Sequence, residues 1–464
     1  MTTGGTSAAG RDMTGTGRQS SADGASPARL PTATVASYAA GSVGTGGFGV
    51  LPGLVLAYYL TDTLAVPAVL AAIVVLIPKI IDVAINPIIG ARSDQALAHS
   101  GTRSAGMIAG AMALVPLFIL TFAAPTALPM PVAAAWVLIF FSLSAVAYSL
   151  FQVPFVALPA ELTPDYHERT RLVATRIVVL AATILVIGAG GPAIRNAVGG
   201  AVGYLAMAVA AVAVIAGGML VTGFGAARRS RQVTARPSSG GHRDALAAIR
   251  ETPRFRNLLV IYVIQALASA IMLAGAPYMA TYIFDDATVL TVFFVALVAP
   301  AIVVMPLWSR LGRSRGKETG LTVASCLFIV GAAGTIGAAW GPGWWVFAAV
   351  ALAGVGYAGM QTFPLALLPD VIDEHAQRVG SDRGGAMSGL WTACETVGLA
   401  LGPAVYLLIL AATGFVSSAG EVAADQPGSA LVGVVVGFSL VPAALVASSL
   451  LLMRTIRAGA RKAL

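Results

Sequence analysis

Lys79, Asp82 and Asn86 stand three and four residues apart inside an apolar run that begins near Val66. A helix puts positions so spaced on one face. The Asp82 carboxylate and the Asn86 amide oxygen are hard ligands of the kind that suit sodium. Of the two, only Asp82 can take a proton. Lys79 brings an ammonium to the same face, and mutual neutralisation of Lys79 and Asp82 is the plainer alternative. Charges at such depth cost about 2.5–3.5 kcal/mol each, so they are kept where they pair or line a wet cavity.

Farther along, Gln152, Arg176, Gln265, Gln361 and Glu395 interrupt other apolar runs. Glu395 reads either as a second titrating acid or as a carboxyl satisfied by its packing. Arg176, near the start of its run, reaches a cavity or snorkels to a surface. Tyr148, Tyr357 and Trp391 offer flat faces to a ligand or fill a core. The candidate cation ligands are therefore Asp82 and Asn86. The candidate solute contacts are Lys79, Tyr148, Gln152, Arg176, Gln361, Trp391 and Glu395.

The elements that must position these groups are long and apolar. Of 464 residues, 57% are hydrophobic and 10% charged, against roughly 25% charged in a soluble domain. Runs near 33–60, 66–90, 105–124, 131–159, 172–194 and 200–224 precede a polar, basic stretch at 225–255. Runs near 256–284, 288–308, 318–340, 343–369, 385–412 and 429–453 follow it. Each supplies the ~20 residues that a spanning helix needs. The expected fold is an all-α polytopic membrane protein of twelve transmembrane helices in two six-helix halves. The expected divisions are a disordered tail at 1–30, a first bundle at 31–224, a linker at 225–255 and a second bundle with a short basic tail at 256–464.

Of the 28 Lys and Arg, only Lys79 and Arg195 lie away from the N-terminal tail, the even-to-odd connections with their helix ends, and the C-terminal tail. The positive-inside rule then places both termini and the linker in the cytoplasm, as in a multi-pass protein of the inner cell membrane. The net charge of +8 is thus a topology signal and not a nucleic-acid footprint. A repeat supports the two halves. Tyr148, Gln152, Pro154, Leu158 and Pro159 recur as Tyr357, Gln361, Pro364, Leu368 and Pro369, offset by 209 and then 210 positions. A shift of six helices keeps direction, so the repeat is parallel.

Other motifs exclude more than they promise. Gly44 to Gly49 matches a dinucleotide fingerprint, but no strand precedes it and it lies in an apolar run; small-residue packing is expected there. Cys326 and Cys394 read as small buried hydrophobes. The four histidines all fall in expected loops. With no phosphate loop, no nucleophile–His–acid set and no metal cluster legible, neither an enzyme nor a bound cofactor is expected. Four charged clusters border the runs: Arg92, Asp94 and Arg103; Glu161 through Arg171; Arg310, Arg313 and Arg315; and Asp370 through Arg383. Ion pairs among Arg92, Asp94, Glu161, Arg169, Arg310, Arg313, Asp370, Asp373 and Arg383 are expected to shut the cytoplasmic end in one state and part in another. Ordinary solvated loop charge is the alternative.

Three segments together carry a resemblance. They are Lys79 to Asp94; Gln152-Val-Pro154-Phe through Glu161 and Asp165 to Arg176; and Leu368-Pro369-Asp370 through Arg383, Trp391 and Glu395 to Gly398. In them the chain resembles the major facilitator superfamily, and within it the glycoside–pentoside–hexuronide:cation symporters of the melibiose permease group. The resemblance implies a secondary active transporter working by alternating access, a monomer in the lipid bilayer. A small-molecule substrate, a sugar or other polar organic solute, would bind between the halves. A coupling cation, Na+ or H+, would bind at Asp82 and Asn86. Sugar-carrying members have acids where Gly46, Gln152 and Asn86 stand, and many have a lysine at the place of Thr396. Two readings therefore stay open: cation-coupled symport, and an uncoupled carrier of lysophospholipid-like or amphipathic solutes. A non-transporting membrane sensor on the same fold is the reading from another class.

Overall fold

The computed structural model describes residues 29–163, 165–229, 249–379, 384–418 and 424–460. The N-terminal tail, most of the linker and Arg383 lie outside them. Among the described residues, twelve spans are long and apolar enough to cross a membrane. The first half holds α1 (Thr32–Asp62), α2 (Ala68–Ser100), α3 (Ser104–Thr121), α4 (Met130–Leu162), α5 (Tyr166–Val198) and α6 (Gly200–Phe224). The second holds α7 (Pro253–Tyr278), α8 (Val289–Arg315), α9 (Lys317–Gly334), α10 (Trp344–Val379) and α11 (Gly384–Ala412). Its last span breaks at Ser439 into α12 (Gly428–Phe438) and α13 (Leu440–Ala460).

Local sequence sets the ends. Helices α1, α2 and α4 start directly after Pro31, Pro67 and Pro129, where a fixed φ and a missing N–H cost nothing. The N-cap of α5 is Asp165, whose carboxylate accepts from the Glu168 N–H at 2.8 Å. Gly101 stops α2 in a left-handed conformation, φ 70°, with its N–H on the Leu97 carbonyl.

Within the halves, α1 packs on α5 and α6, α3 on α4, α7 on α11 and α13, and α9 on α10. The halves meet along α2–α11, α5–α8 and α1–α7. A six-helix shift turns the first contact into the second and the third into itself, so the seam is isologous, as in a two-fold dimer. Gly44, Gly46 and Gly47 serve the packing of α1 within the first half. A Cβ on Gly44 or Gly47 would stand 2.5 Å from Met219 or Ile215 of α6, and one on Gly46 would stand 3.2 Å from Leu180 and Thr183 of α5.

Two expectations need correction. Cys326 is exposed on α9 and Cys394 only half-buried; as weakly polar side chains they meet the bilayer without penalty. His99 and His167 lie in the end turns of α2 and α5, and His375 too is in no loop. It is fully buried on α10, with Nδ1 2.7 Å from the Thr252 hydroxyl at the entry to α7, because α10 runs on past Pro369 to Val379.

Candidate functional site

The buried acid of α2 faces α4. Asp82 is 9% exposed, and its Oδ1 accepts a short hydrogen bond from the Ser149 hydroxyl. Among the described residues it forms no ion pair within 4 Å with Lys79, which is half-buried one turn away. The next turn presents Asn86, whose Oδ1 is buried without a hydrogen-bond partner. A buried acceptor left unmade costs about 1–3 kcal/mol, so this oxygen is under-satisfied by the protein alone. Asp82, Ser149 and Asn86 thus offer oxygen atoms of three kinds and one formal charge.

Next to this corner, Gln152 accepts from Thr45 of α1 at 2.9 Å. Tyr148 stacks on Phe48 with centroids 4.4 Å apart. The Arg176 guanidinium lies 4.9 Å above the Phe155 ring, a cation–π contact. In the second half, Trp391 stacks on Tyr262 at 4.5 Å, and the Tyr262 hydroxyl donates to Glu395 at 2.6 Å. Gln361 donates to Tyr357 at 3.0 Å. Gln265 instead ties α7 to α9 and α13 by donating to Ser325 and Ser449. Among the spans, α1 and α7 are the most buried, and each keeps a short stripe at least partly exposed. On α1 that stripe is Thr45, Gly49 and Gly53; on α7 it is Val260, Val263, Ile264 and Leu267.

At the end that bears the linker, the charges pair within each half. Arg103 grips Glu161 at 2.7 Å and Asp94 at 2.6 Å; burial pushes the Glu161 carboxyl up while Arg103 opposes the rise. Lys317 holds Asp370 at 2.6 Å, the matching contact of the second half. Arg254 bridges Glu318 and Glu374. Arg169 donates to the Thr163 carbonyl, and Arg92, Arg310, Arg313 and Asp373 are exposed. None of these ion pairs crosses between the halves.

The hydrogen bonds that do join the halves among the described residues gather at the opposite end. Tyr58 donates to Thr281 at 3.0 Å, and Thr61 and Tyr278 share a bond of 2.8 Å. These are one contact made twice, since Tyr278 and Thr281 follow Tyr58 and Thr61 by the same 220 positions. The offset also matches Asp62 to Tyr282, and these two bond each other. Thr61 donates to the same carboxyl. Ala65 and Thr61 exchange backbone bonds with Ser418, and Asn196 donates to the Ala287 carbonyl. Gly188 of α5 leaves room for the Phe294 ring of α8. Sequence reasoning missed this seam; the repeated Tyr-x-x-Thr, at Tyr58 to Thr61 and Tyr278 to Thr281, was the available signal.

Two pseudosymmetric six-helix halves, sealed at one end around a polar interior, define a membrane transporter of the major facilitator type. The chain matches the MFS/sugar transport protein family over residues 37–458 and belongs to it. It is similar to an uncharacterized symporter of Synechocystis sp., 23% identical over 91% of this chain and 94% of that one. It is likewise similar to the uncharacterized symporter YnaJ of Bacillus subtilis, 22% identical over 85% of each. The fold is similar to that of the nucleoside transporter NupG, with a TM-score of 0.64, 12% identity, and 92% and 99% of the two chains covered.

Proposed function

We propose that the protein moves an organic solute by alternating access, coupled to a cation held at Asp82 and Asn86. One observation carries this reading: the partnerless Asn86 oxygen one turn from a buried carboxylate that has no ion pair to Lys79 within 4 Å. Ser149 completes the oxygen set and orients the carboxylate. On the opposite half, Glu395, held by Tyr262 beneath the buried Trp391, supplies an acceptor for the solute, with Gln152 and Arg176 supplying polar contacts from the first half. The positive-inside rule makes the linker end cytoplasmic, so the end fastened by hydrogen bonds between the halves is the outer one. The linker-end clusters would then close the inner end by exchanging their within-half partners for partners across the seam.

In proteoliposomes, Asp82→Asn is expected to abolish accumulation driven by a sodium or proton gradient while sparing counterflow exchange. Gradient-driven accumulation at the parent level would remove the ion from Asp82.

The stripe on α7 favours a second reading. Val260, Val263, Ile264 and Leu267 form an apolar, partly exposed stripe on α7, which suits contact with an amphipathic solute. Counterflow of labelled sugars against labelled lysolipids separates the two.

A further inference from the structure

Asp62 and Arg195 line one cavity of about 350 Å³ at the sealed end, with Tyr58, Asn196, Thr288 and Ser418. Both belong to the first half, at the ends of α1 and α5. Neither has an opposite charge within 4 Å among the described residues. Asp62 is 5% exposed and is held by hydroxyls, from Thr61 of its own helix and Tyr282 of the other half. Arg195 lies over two ring faces, Tyr58 at 5.2 Å and Tyr204 at 4.9 Å, and donates to the Asn196 side chain at 3.0 Å. Of these partners only Tyr282 rides on the second half. Parting the halves at this end carries Tyr282 off and leaves Arg195, Tyr58 and Tyr204 beside Asp62.

We propose that Asp62 exchanges partners during the cycle, bonding Tyr282 when this end is shut and Arg195 when it is open. The proposal rests on the alternating-access reading. A carboxylate stripped of a phenol donor takes the nearest guanidinium, whose planar fork has donors to spare and matches it bidentately. Each state then has its own satisfied acid, so neither leaves a charge stranded at the seam.

The exchange predicts opposite signs for two substitutions. In a background with Cys326→Ala and Cys394→Ala, spin labels at Thr126→Cys and Pro342→Cys, exposed positions on the two halves at this end, report the distance across it in nanodiscs. Tyr282→Phe removes the closed-state donor and should raise the open-to-shut ratio about tenfold. Arg195→Gln removes the open-state partner and should lower the ratio about fivefold. Its lost contacts with Tyr58 and Tyr204 are common to both states and cancel. Asp62→Asn still accepts from Tyr282, so it should act like Arg195→Gln and make that substitution silent when combined with it. Shifts of equal sign, or additive effects of Asp62→Asn and Arg195→Gln, would overturn the exchange while leaving alternating access standing. A single distance that no substitution moves would overturn both.

Discussion

Glu395 shows how much a single hydrogen bond decides. Its carboxyl is half-buried and takes its donor from Tyr262, which is itself pinned beneath Trp391. Tyr262→Phe leaves the acid without that donor and is expected to cost about 1–2 kcal/mol, seen as a lower melting temperature in detergent. Glu395→Gln keeps an acceptor for the Tyr262 hydroxyl and should melt within a degree or two of the parent. If the glutamine variant melts as low as the phenylalanine variant, the carboxyl is held by something other than this hydroxyl. The acid was legible in the sequence because a charge in an apolar run stands out. Tyr262 was not, because a tyrosine among Leu, Val and Ile resembles ordinary core until its partner is known.

Helices show the same division. Their number, order and approximate limits were legible from runs of apolar residues, since a bilayer of fixed thickness demands spans of fixed length. Which faces touch was not, because α1 and α7 are apolar nearly all round and give no amphipathic signal. Gly188 illustrates the gap: nothing around it in the sequence marks it, yet it is the place where α5 receives the Phe294 ring of α8. Gly188→Val should hold these helices apart and populate the state open at that end, read by the same pair of spin labels. Adding Phe294→Ala should restore the shut state, since the removed ring returns the lost space. Failure of that rescue would place the contact outside the gate. Gly46 likewise sits close against α5, where a Cβ would press on Leu180 and Thr183 at 3.2 Å, so a longer side chain there needs those neighbours to give way.

At the scale of the molecule, the two halves meet along a seam fastened at one end and, among the described residues, free of cross-half ion pairs at the other. Ala65 and Ser418 lie on opposite halves, with the Ala65 N–H on the Ser418 carbonyl at 3.1 Å. A disulfide between Ala65→Cys and Ser418→Cys in the cysteine-free background should arrest solute uptake, and a reductant should restore it. Uptake that persists in the fully oxidised protein would mean this seam does not open during transport.

The reciprocal Tyr–Thr contacts would fit two copies of the same half as well as they fit the two different halves. Asp62 breaks that equivalence. Two first halves brought together would set carboxylate against carboxylate, whereas a first and a second half set carboxylate against phenol. One residue in the repeat thus gives the bundles a reason to choose each other over their own kind during assembly.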